Sequence, residues 1–523
     1  MALIVNVSEA MALRSEALRQ QAYNGLDVTG TAEVSRVLRS RLDEQLNRTY
    51  SFERAIQAPA LQMMVRGCAV DLGARAEALK VATREWQKAT RLIDKMPQVR
   101  DFWDGMEKVT GYCPKEPDKH HKWQKGVPDG PERLCERCGS PRMVRAPFNA
   151  NSQAQVERLL YVLHGLPAER NKDKKVSVDD DCLEKVGRKH KEFFPLCEAI
   201  RDVRDQKKQI GWLNGRLNAR NRYPSSFNVG AAWTGRFSSS KNPHGEGGNL
   251  QNVAPKLRHV IVADPGYDLW YIDFKTGESY VVAYESGDPV YIEAHATGDT
   301  HTFVARLLWP HFPWTGDLKK DKDWAKSHNP EWDKAEGHDW RFQAKRIQHG
   351  SNFGLTPPGI AMIAHIPMAE AVKAQRNYFG EFEYIKPWQN SIIADVRESK
   401  PLVNALGRKI RLFGRPWDPH THKQGLAFKP QSTVADLIDI ALWRVWYYME
   451  PKGVQLLAQV HDALLLQIPR GRFDLAAETI EMMRIPININ GRTLIIDVEA
   501  SYGRNWGKFD PEKNPFGQKD FKP

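Results

Sequence analysis

No apolar run in these 523 residues approaches the ~18 that a bilayer-crossing helix needs. The opening "MALIVNVSEAMALRSEAL" lacks the basic start and long apolar centre of a secretory signal. We therefore expect a soluble intracellular protein with no membrane partner. Cysteine is scarce, six in the whole chain, which excludes a disulfide-stapled scaffold. There is no internal repeat and no low-complexity tract, so neither a solenoid nor a long disordered linker is expected. What remains is a globular composition, 41% hydrophobic and 27% charged with 16 Trp, long enough for two to four domains. The formal net charge of +12 favours a polyanionic partner bound in a salt-sensitive way. Charge alone does not separate nucleic acid from an anionic surface.

Up to about residue 110 apolar residues recur every three or four positions, as in "ALQMMVRGCAVDLGARAEALKVATREWQKATRLIDKM", which predicts packed helices. From Gly111 to Pro147 the composition shifts to Pro, Gly, Lys, His and Cys, the mark of an insert. Helical patterning returns and runs through "RDVRDQKKQIGWLNGRLNARNRYP", where Arg201, Arg204 and Lys208 share a face. That face suits a duplex backbone or, equally, bare solvent. Beyond residue 225, Gly/Ser/Asn-rich turns alternate with the short apolar strands "LWYIDFK", "QVHDALLLQIP" and "TLIIDVEASY", and a Trp-rich helical block at about 290–400 separates the first from the others. The pattern predicts an α+β fold whose sheet is assembled from distant segments.

The first two of those strands each set an acid against an apolar run, Asp273 and Asp462. A lone Asp there is ordinarily a turn or cap residue. If the two strands are neighbours, however, their carboxylates converge and repel unless a cation neutralises them. Hard oxygen ligands suit Mg²⁺ or Mn²⁺, and two such ions ~4 Å apart would clamp an in-line phosphoryl displacement. In "RFQAKRIQHGSNFGLTPPGIA", Arg341, Lys345, His349 and Phe353 recur every fourth residue and form one stripe on a helix, with Trp340, Ala344 and Ile347 on an inward face. The cationic end would hold a triphosphate and the ring-bearing end a base; the alternative is a plain amphipathic helix. In the insert, Cys113, Cys135 and Cys138, with His120 or His121 between them, fit a tetrahedral Zn²⁺ site, or else three unrelated thiols. Cys68, Cys182 and Cys197 read as small core residues.

Five segments in order resemble family A DNA polymerases, the bacterial polymerase I type: "TGRFSSSKNPHGEGGNLQN", "DFKTGE", "RFQAKRIQHGSNFG", "KPQSTVADLI" and "VHDALLL". "VRGCAVD" and "FNANSQAQVERLLY" are similar to its thumb landmarks, so the resemblance covers residues from about 51 onward. It implies a right-hand polymerase: a helical segment at 1–50, a thumb at 51–222 with the insert at 111–147, a palm with an antiparallel sheet at 223–290 and 415–523, and helical fingers at 291–414. The implied activity is template-directed 5′→3′ DNA synthesis, with primer-template DNA and dNTPs as partners. Asp273 and Asp462 would hold two Mg²⁺, with Mn²⁺ able to substitute. Arg341, Lys345 and His301 would contact the triphosphate, Lys345 also protonating pyrophosphate. Glu278 would exclude a 2′-OH, and Phe353 would stack near the templating position. Arg236 and Gln431 would probe the minor groove, where correct pairs offer similar acceptors, and His461 would steady the primer end. The zinc module would prop a thumb insertion touching duplex DNA. A helicase, a primase or a separate nuclease would complete a replication complex.

The chain also departs from the family pattern. Ala463 stands where a Glu is usual, Ala427 where an Asn is common, and His349 where a Phe or Tyr packs against the sugar gate, which bears on sugar discrimination. About 20 extra residues, including "WTGDLKKDKDWAKSHNPEWDK", separate His301 from Arg341. Tyr23 and Asp27 in "YNGLD" resemble only the last motif of the proofreading exonuclease, so no 3′→5′ exonuclease or 5′ nuclease is expected, an architecture typical of viral members. The alternatives are an RNA-synthesising relative, against which Glu278 argues, and a catalytically silent DNA-binding scaffold.

Overall fold

The structure, a computed structural model, describes residues 16–100, 102, 106–109, 111–127, 133–145, 148–171, 174–330 and 338–522. Tyr23 and Asp27 fall on the helix Glu16–Arg39, but their side chains lie outside the described residues, as does the end of the 314–334 insertion. The chain divides into two compact units: Met1–Cys68, Pro224–Asn242 and Ala263–Pro523 form the first, Ala69–Tyr223 and Pro243–Val262 the second. Among the described residues no helix is long and apolar enough to cross a membrane.

The first unit is built on a five-stranded antiparallel sheet. Its strands are β1 (Tyr267–Phe274), β2 (Gln455–Val460), β3 (Ala463–Pro469), β4 (Val498–Gly503) and β5 (Lys519–Phe521), in the order β2-β3-β1-β4-β5. Leu269, Trp270, Ile272 and Phe274 of β1 are buried, and so is every residue of β3 from Ala463 to Ile468, which explains an apolar run broken only by Gln467, whose amide donates to Asp264 and Gln455. Two segments read as single strands are each divided. "QVHDALLLQIP" folds into a hairpin, with Val460 opposite Ala463 and His461–Asp462 at the tip. His461 adopts φ 56°, the left-handed backbone that a two-residue turn demands. In "TLIIDVEASY", Arg492–Leu494 pairs instead with Ile487–Ile489, and only Val498 onward joins the main sheet.

Nine helices follow β1 in the described chain before β2: α1 (Gly277–Ser286), α2 (Pro289–Ala296), α3 (Thr300–Leu308), α4 (Leu318–Ser327), α5 (Trp340–Asn352), α6 (Pro357–Ala364), α7 (Met368–Glu381), α8 (Ile385–Arg397) and α9 (Pro419–Arg444). Trp340, Ala344 and Ile347 of α5 are buried as the periodicity predicts, beside Tyr291, Trp309, Tyr378 and Phe382. Two glycines mark close approaches. A Cβ on Gly350 would sit 2.5 Å from Ile360 of α6, and one on Gly277 would sit 3.2 Å from Val434 of α9. A larger residue at either site requires the facing side chains to shift. The segment between His301 and Arg341 forms α4, whose Trp324 packs with Phe312 and Trp314 at centroid distances of 5.1 and 5.0 Å. Asp321 of α4, 1% exposed, pairs with Arg306 of α3 and accepts hydrogen bonds from the Thr315 backbone and hydroxyl, each 2.8 Å.

In the second unit, helices Leu72–Asp94, Asp180–Lys189 and Phe194–Leu213 enclose a core that includes Leu159, Leu160, Leu183, Ile200 and Val203. Cys182 and Cys197 are buried, and burial pushes both thiols up to about 12. The expected basic face is largely engaged within the unit. Arg201 pairs with Glu198, Lys208 with Asp180 at 3.4 Å, and half-buried Arg204 donates to the carbonyls of Ala150 and Val178 at 2.8 and 2.5 Å. That use of its donors makes Arg204 a packing residue. The insert carries a short hairpin, Tyr112–Cys113 with Glu116–His120, and a ladder of Met106–Lys108 with Met143–Arg145.

Candidate active site

Sheet register decides what Asp273 faces. It lies directly across from Ala463 on one side and Glu499 on the other, and such partners share a face. The Phe274 amide donates to the Asp462 carbonyl at 3.1 Å, which pins the hairpin tip against the end of β1. Asp273, Asp462, Glu499 and Glu278 thus line one cavity of about 450 Å³, and so do all four members of the α5 stripe, Arg341, Lys345, His349 and Phe353, together with His301. Carboxylates from the sheet and cations from the helix meet in a single chamber.

Its electrostatics follow from crowding. Burial raises the Asp462 carboxyl above its ordinary range; Arg236 opposes this and Glu278 adds to it. Arg236 Nη2 bridges the two acids, 2.5 Å from Glu278 Oε1 and 3.2 Å from Asp462 Oδ1. The other Glu278 oxygen, Oε2, is buried without a hydrogen-bond partner. Converging carboxylates with an orphaned oxygen form the donor set that a hard divalent cation suits. At the opposite wall, Asp299 grips Arg341 through Nε at 3.1 Å and Nη2 at 2.9 Å, and Lys322 of α4 lies 3.4 Å away. Burial alone would raise the Asp299 carboxyl, but Arg341 and Lys322 hold it at about 2. His349 meets Phe353 edge to face at 4.6 Å. Desolvation against the cavity wall lowers its imidazole from the usual range although the residue is exposed, with Lys345 and Arg236 adding to this and Glu278 opposing.

A polar network that the sequence reading missed lies under the stripe. Gln348 donates to Ser279 at 2.9 Å and Tyr291 at 2.8 Å and bonds His301 Nδ1 at 2.7 Å. Asn352 reaches the same Tyr291 hydroxyl and accepts from Tyr378. His295 bridges Ser279 and Thr300. Burial depresses both histidines, His295 to about 3 and His301 to about 4. The signal was present in the sequence: Gln348 falls one turn after Ala344, on the face that must be buried. Glu499 was missed as well, although it lies on a third strand that carries an acid.

Other expected site residues stand outside the cavity wall. His461 is exposed at the hairpin tip, and Gln431 is half-buried on α9. In the insert, Cys113, His121, Cys135 and Cys138 converge, whereas His120 does not. His120 stacks on Tyr112 at 4.5 Å with its Nδ1 3.3 Å from the Gly111 carbonyl, so the expectation that it is a ligand is corrected.

The sequence profile described as DNA polymerase family A matches residues 140–508. The chain belongs to DNA polymerase family A. It is 28% identical over 399 residues to the thermostable DNA polymerase I of Thermus thermophilus, covering 70% of this chain and 42% of that protein. It is 25% identical over 384 residues to DNA polymerase I of Mycobacterium bovis, covering 69% and 38%. This family A chain therefore spans about two fifths of the length of these curated relatives. Its fold matches the polymerase domain of Pol1 from M. smegmatis, solved in complex with DNA primer-template and dNTP, at a TM-score of 0.64 and 22% identity, covering 94% of this chain and 74% of that one. The expected α+β right-hand polymerase fold with an antiparallel sheet is the fold observed.

Proposed function

We propose that this family A chain performs template-directed DNA synthesis, joining a primer 3′-OH to the α-phosphorus of a dNTP with loss of pyrophosphate. One observation supports the reading above the rest: the Asp273–Asp462 carboxylates and the Arg341–Lys345 cations line the same 450 Å³ chamber, the arrangement that in-line phosphoryl transfer requires.

In this reading the sheet of the first unit is the palm, α2–α8 belong to the fingers and the helical second unit is the thumb. Asp299 fixes the Arg341 guanidinium so that, with Lys345 one turn on, it meets the polyphosphate. The Lys345 ammonium donates a proton to the leaving pyrophosphate oxygen as the bond between Pα and the bridging oxygen breaks. Two Mg²⁺, held by Asp273 and Asp462, would neutralise charge on the transferring phosphoryl group and lower the pKa of the 3′-OH. Glu278 occupies the space a ribose 2′-OH would need, and His349 lies beside it. Phe353 offers the templating base a stacking surface. Arg236 and Gln431 read the minor groove at the primer end, His461 steadies that end, and Arg201 with Lys208 follows the duplex backbone.

The test is extension of a labelled primer-template with each dNTP and each rNTP, with and without Mg²⁺, alongside Asp273→Asn and Asp462→Asn. Metal-dependent extension by dNTPs, lost in both variants, is expected. Extension by rNTPs of equal efficiency would point to RNA synthesis, and normal extension by the variants would remove the site assignment.

A further inference from the structure

The insert at 111–145 has the stability problem of a very small module. Among its described residues the only buried hydrophobic side chains are Cys113 and Cys135. A hairpin and a two-stranded ladder without a core do not hold together by burial and need a staple. Exposed ion pairs along the rim, Lys119 with Glu116 at 2.8 Å and Lys122 with Glu136 at 2.7 Å, contribute little.

What does converge is a set of soft ligands. One ligand atom from each of Cys113, His121, Cys135 and Cys138 lies within 4.8 Å of all the others. Tetrahedral zinc with Zn–S bonds of about 2.3 Å places its sulfurs roughly 3.8 Å apart, so the four need to draw in by about 1 Å at most. Two tight turns present the cysteines: Cys113 pairs with Glu116 across the first hairpin, and the Cys135 amide donates to the Ser140 carbonyl at 2.9 Å across the second. Gly139, at φ 73°, donates to the Cys135 carbonyl at 2.8 Å and closes the second turn. Ser140 Oγ lies 3.2 Å from the Cys138 sulfur. His121 presents Nδ1 to Cys138 at 3.5 Å, and its ring is oriented by stacking on Trp123 at 4.9 Å. A hydroxyl beside one sulfur and a fixed imidazole are outer support of the kind a metal site needs.

We infer that Cys113, His121, Cys135 and Cys138 bind one structural Zn²⁺. Three thiolates and one imidazole close the tetrahedron, leaving no position open to water or substrate, so the ion serves the fold of the insert and not the chemistry of the cavity. Soft sulfur donors exclude the Mg²⁺ proposed at the carboxylates. Binding releases the thiol protons and supplies the ordering free energy that the missing core does not.

The experiment measures metal content in the full chain purified without chelator or added metal. About one zinc per chain is expected, released stoichiometrically to a chromogenic chelator when a mercurial caps the thiols. Co²⁺ in its place should give the intense visible bands of a tetrahedral sulfur-rich site. His121→Ala and Cys138→Ser should each lose the ion, and His120→Ala should keep it. The mercurial release and Co²⁺ spectrum are read on the unaltered chain, so the inference does not depend on how the loss variants fold. Metal-free protein with three freely titrating thiols, a disulfide among Cys113, Cys135 and Cys138, or iron with a cluster absorbance would overturn the inference. Loss of zinc in His120→Ala would overturn the ligand set.

Discussion

Exchanging Asp273 or Asp462 for asparagine keeps the volume and removes one charge, so its effect isolates electrostatics. Loss of a ligand to a two-ion centre costs several kcal/mol of transition-state stabilisation, which is a fall of about 10³-fold or more in extension rate with folding retained. Glu499 sits one strand further from the hairpin tip, beside Asp273 on the side opposite Ala463. Glu499→Gln should weaken Mn²⁺ binding, read by electron paramagnetic resonance in the presence of dNTP, by about tenfold, as outer carboxylates do; unaltered binding would exclude it from the metal environment. The buried histidines predict a pH dependence. His295 and His301 stay neutral in the fold down to about 3 and 4, while in the unfolded chain they take up protons near 6.5. Their folded values are depressed, so the stability they contribute is complete above pH 6.5 and declines as pH falls toward 4, by about 1.4 kcal/mol per pH unit for each histidine. Denaturant midpoints at pH 7, 6 and 5 should show a slope shallower by that amount in His295→Gln than in the native chain. The α5 stripe was legible because helical periodicity acts within one segment. Glu499 and Tyr291 were not, because sheet register and helix packing bring them to the site from far along the chain. Likewise the choice between His121 and His120 depends on how the hairpin ends, which neighbours in sequence do not disclose.

Among the elements, the insertion before α5 gains a role in the structure. It places Asp321 against Arg306 in the interior and Lys322 beside the Asp299 carboxylate that grips Arg341. Asp321→Ala strands the arginine and the Thr315 donors, so a loss of about 3 kcal/mol is expected, measured by chemical denaturation against Lys319→Ala as an exposed control on the same helix. In β2 and β3 the run of apolar residues concealed a turn. A two-residue hairpin needs no glycine if one residue accepts left-handed backbone, and His461 does so. Strand patterning registers only side-chain alternation, so it merged the two strands into one.

For the whole molecule, the net charge of +12 sets how the chain meets a polyanion. Contact with six or more phosphates implies a fall in duplex affinity of about 10³-fold or more between 50 and 200 mM salt, measurable by fluorescence anisotropy with a labelled primer-template. Lys208→Ala should flatten that dependence by about one unit of slope. Arg204→Ala should leave it unchanged and lower thermal stability instead, because its guanidinium is spent on Ala150 and Val178.

The order of strands in the central sheet also governs when activity can arise during synthesis on the ribosome. β1 lies between β3 and β4, which are translated only after the whole helical block has emerged. Until then its two edges lack their partners, and the acid at its end has nothing to cooperate with. A product broken off anywhere before the hairpin is consequently inert rather than partly functional, and maturation of the centre waits on pairing between strands far apart in the chain, the slow kind of folding event.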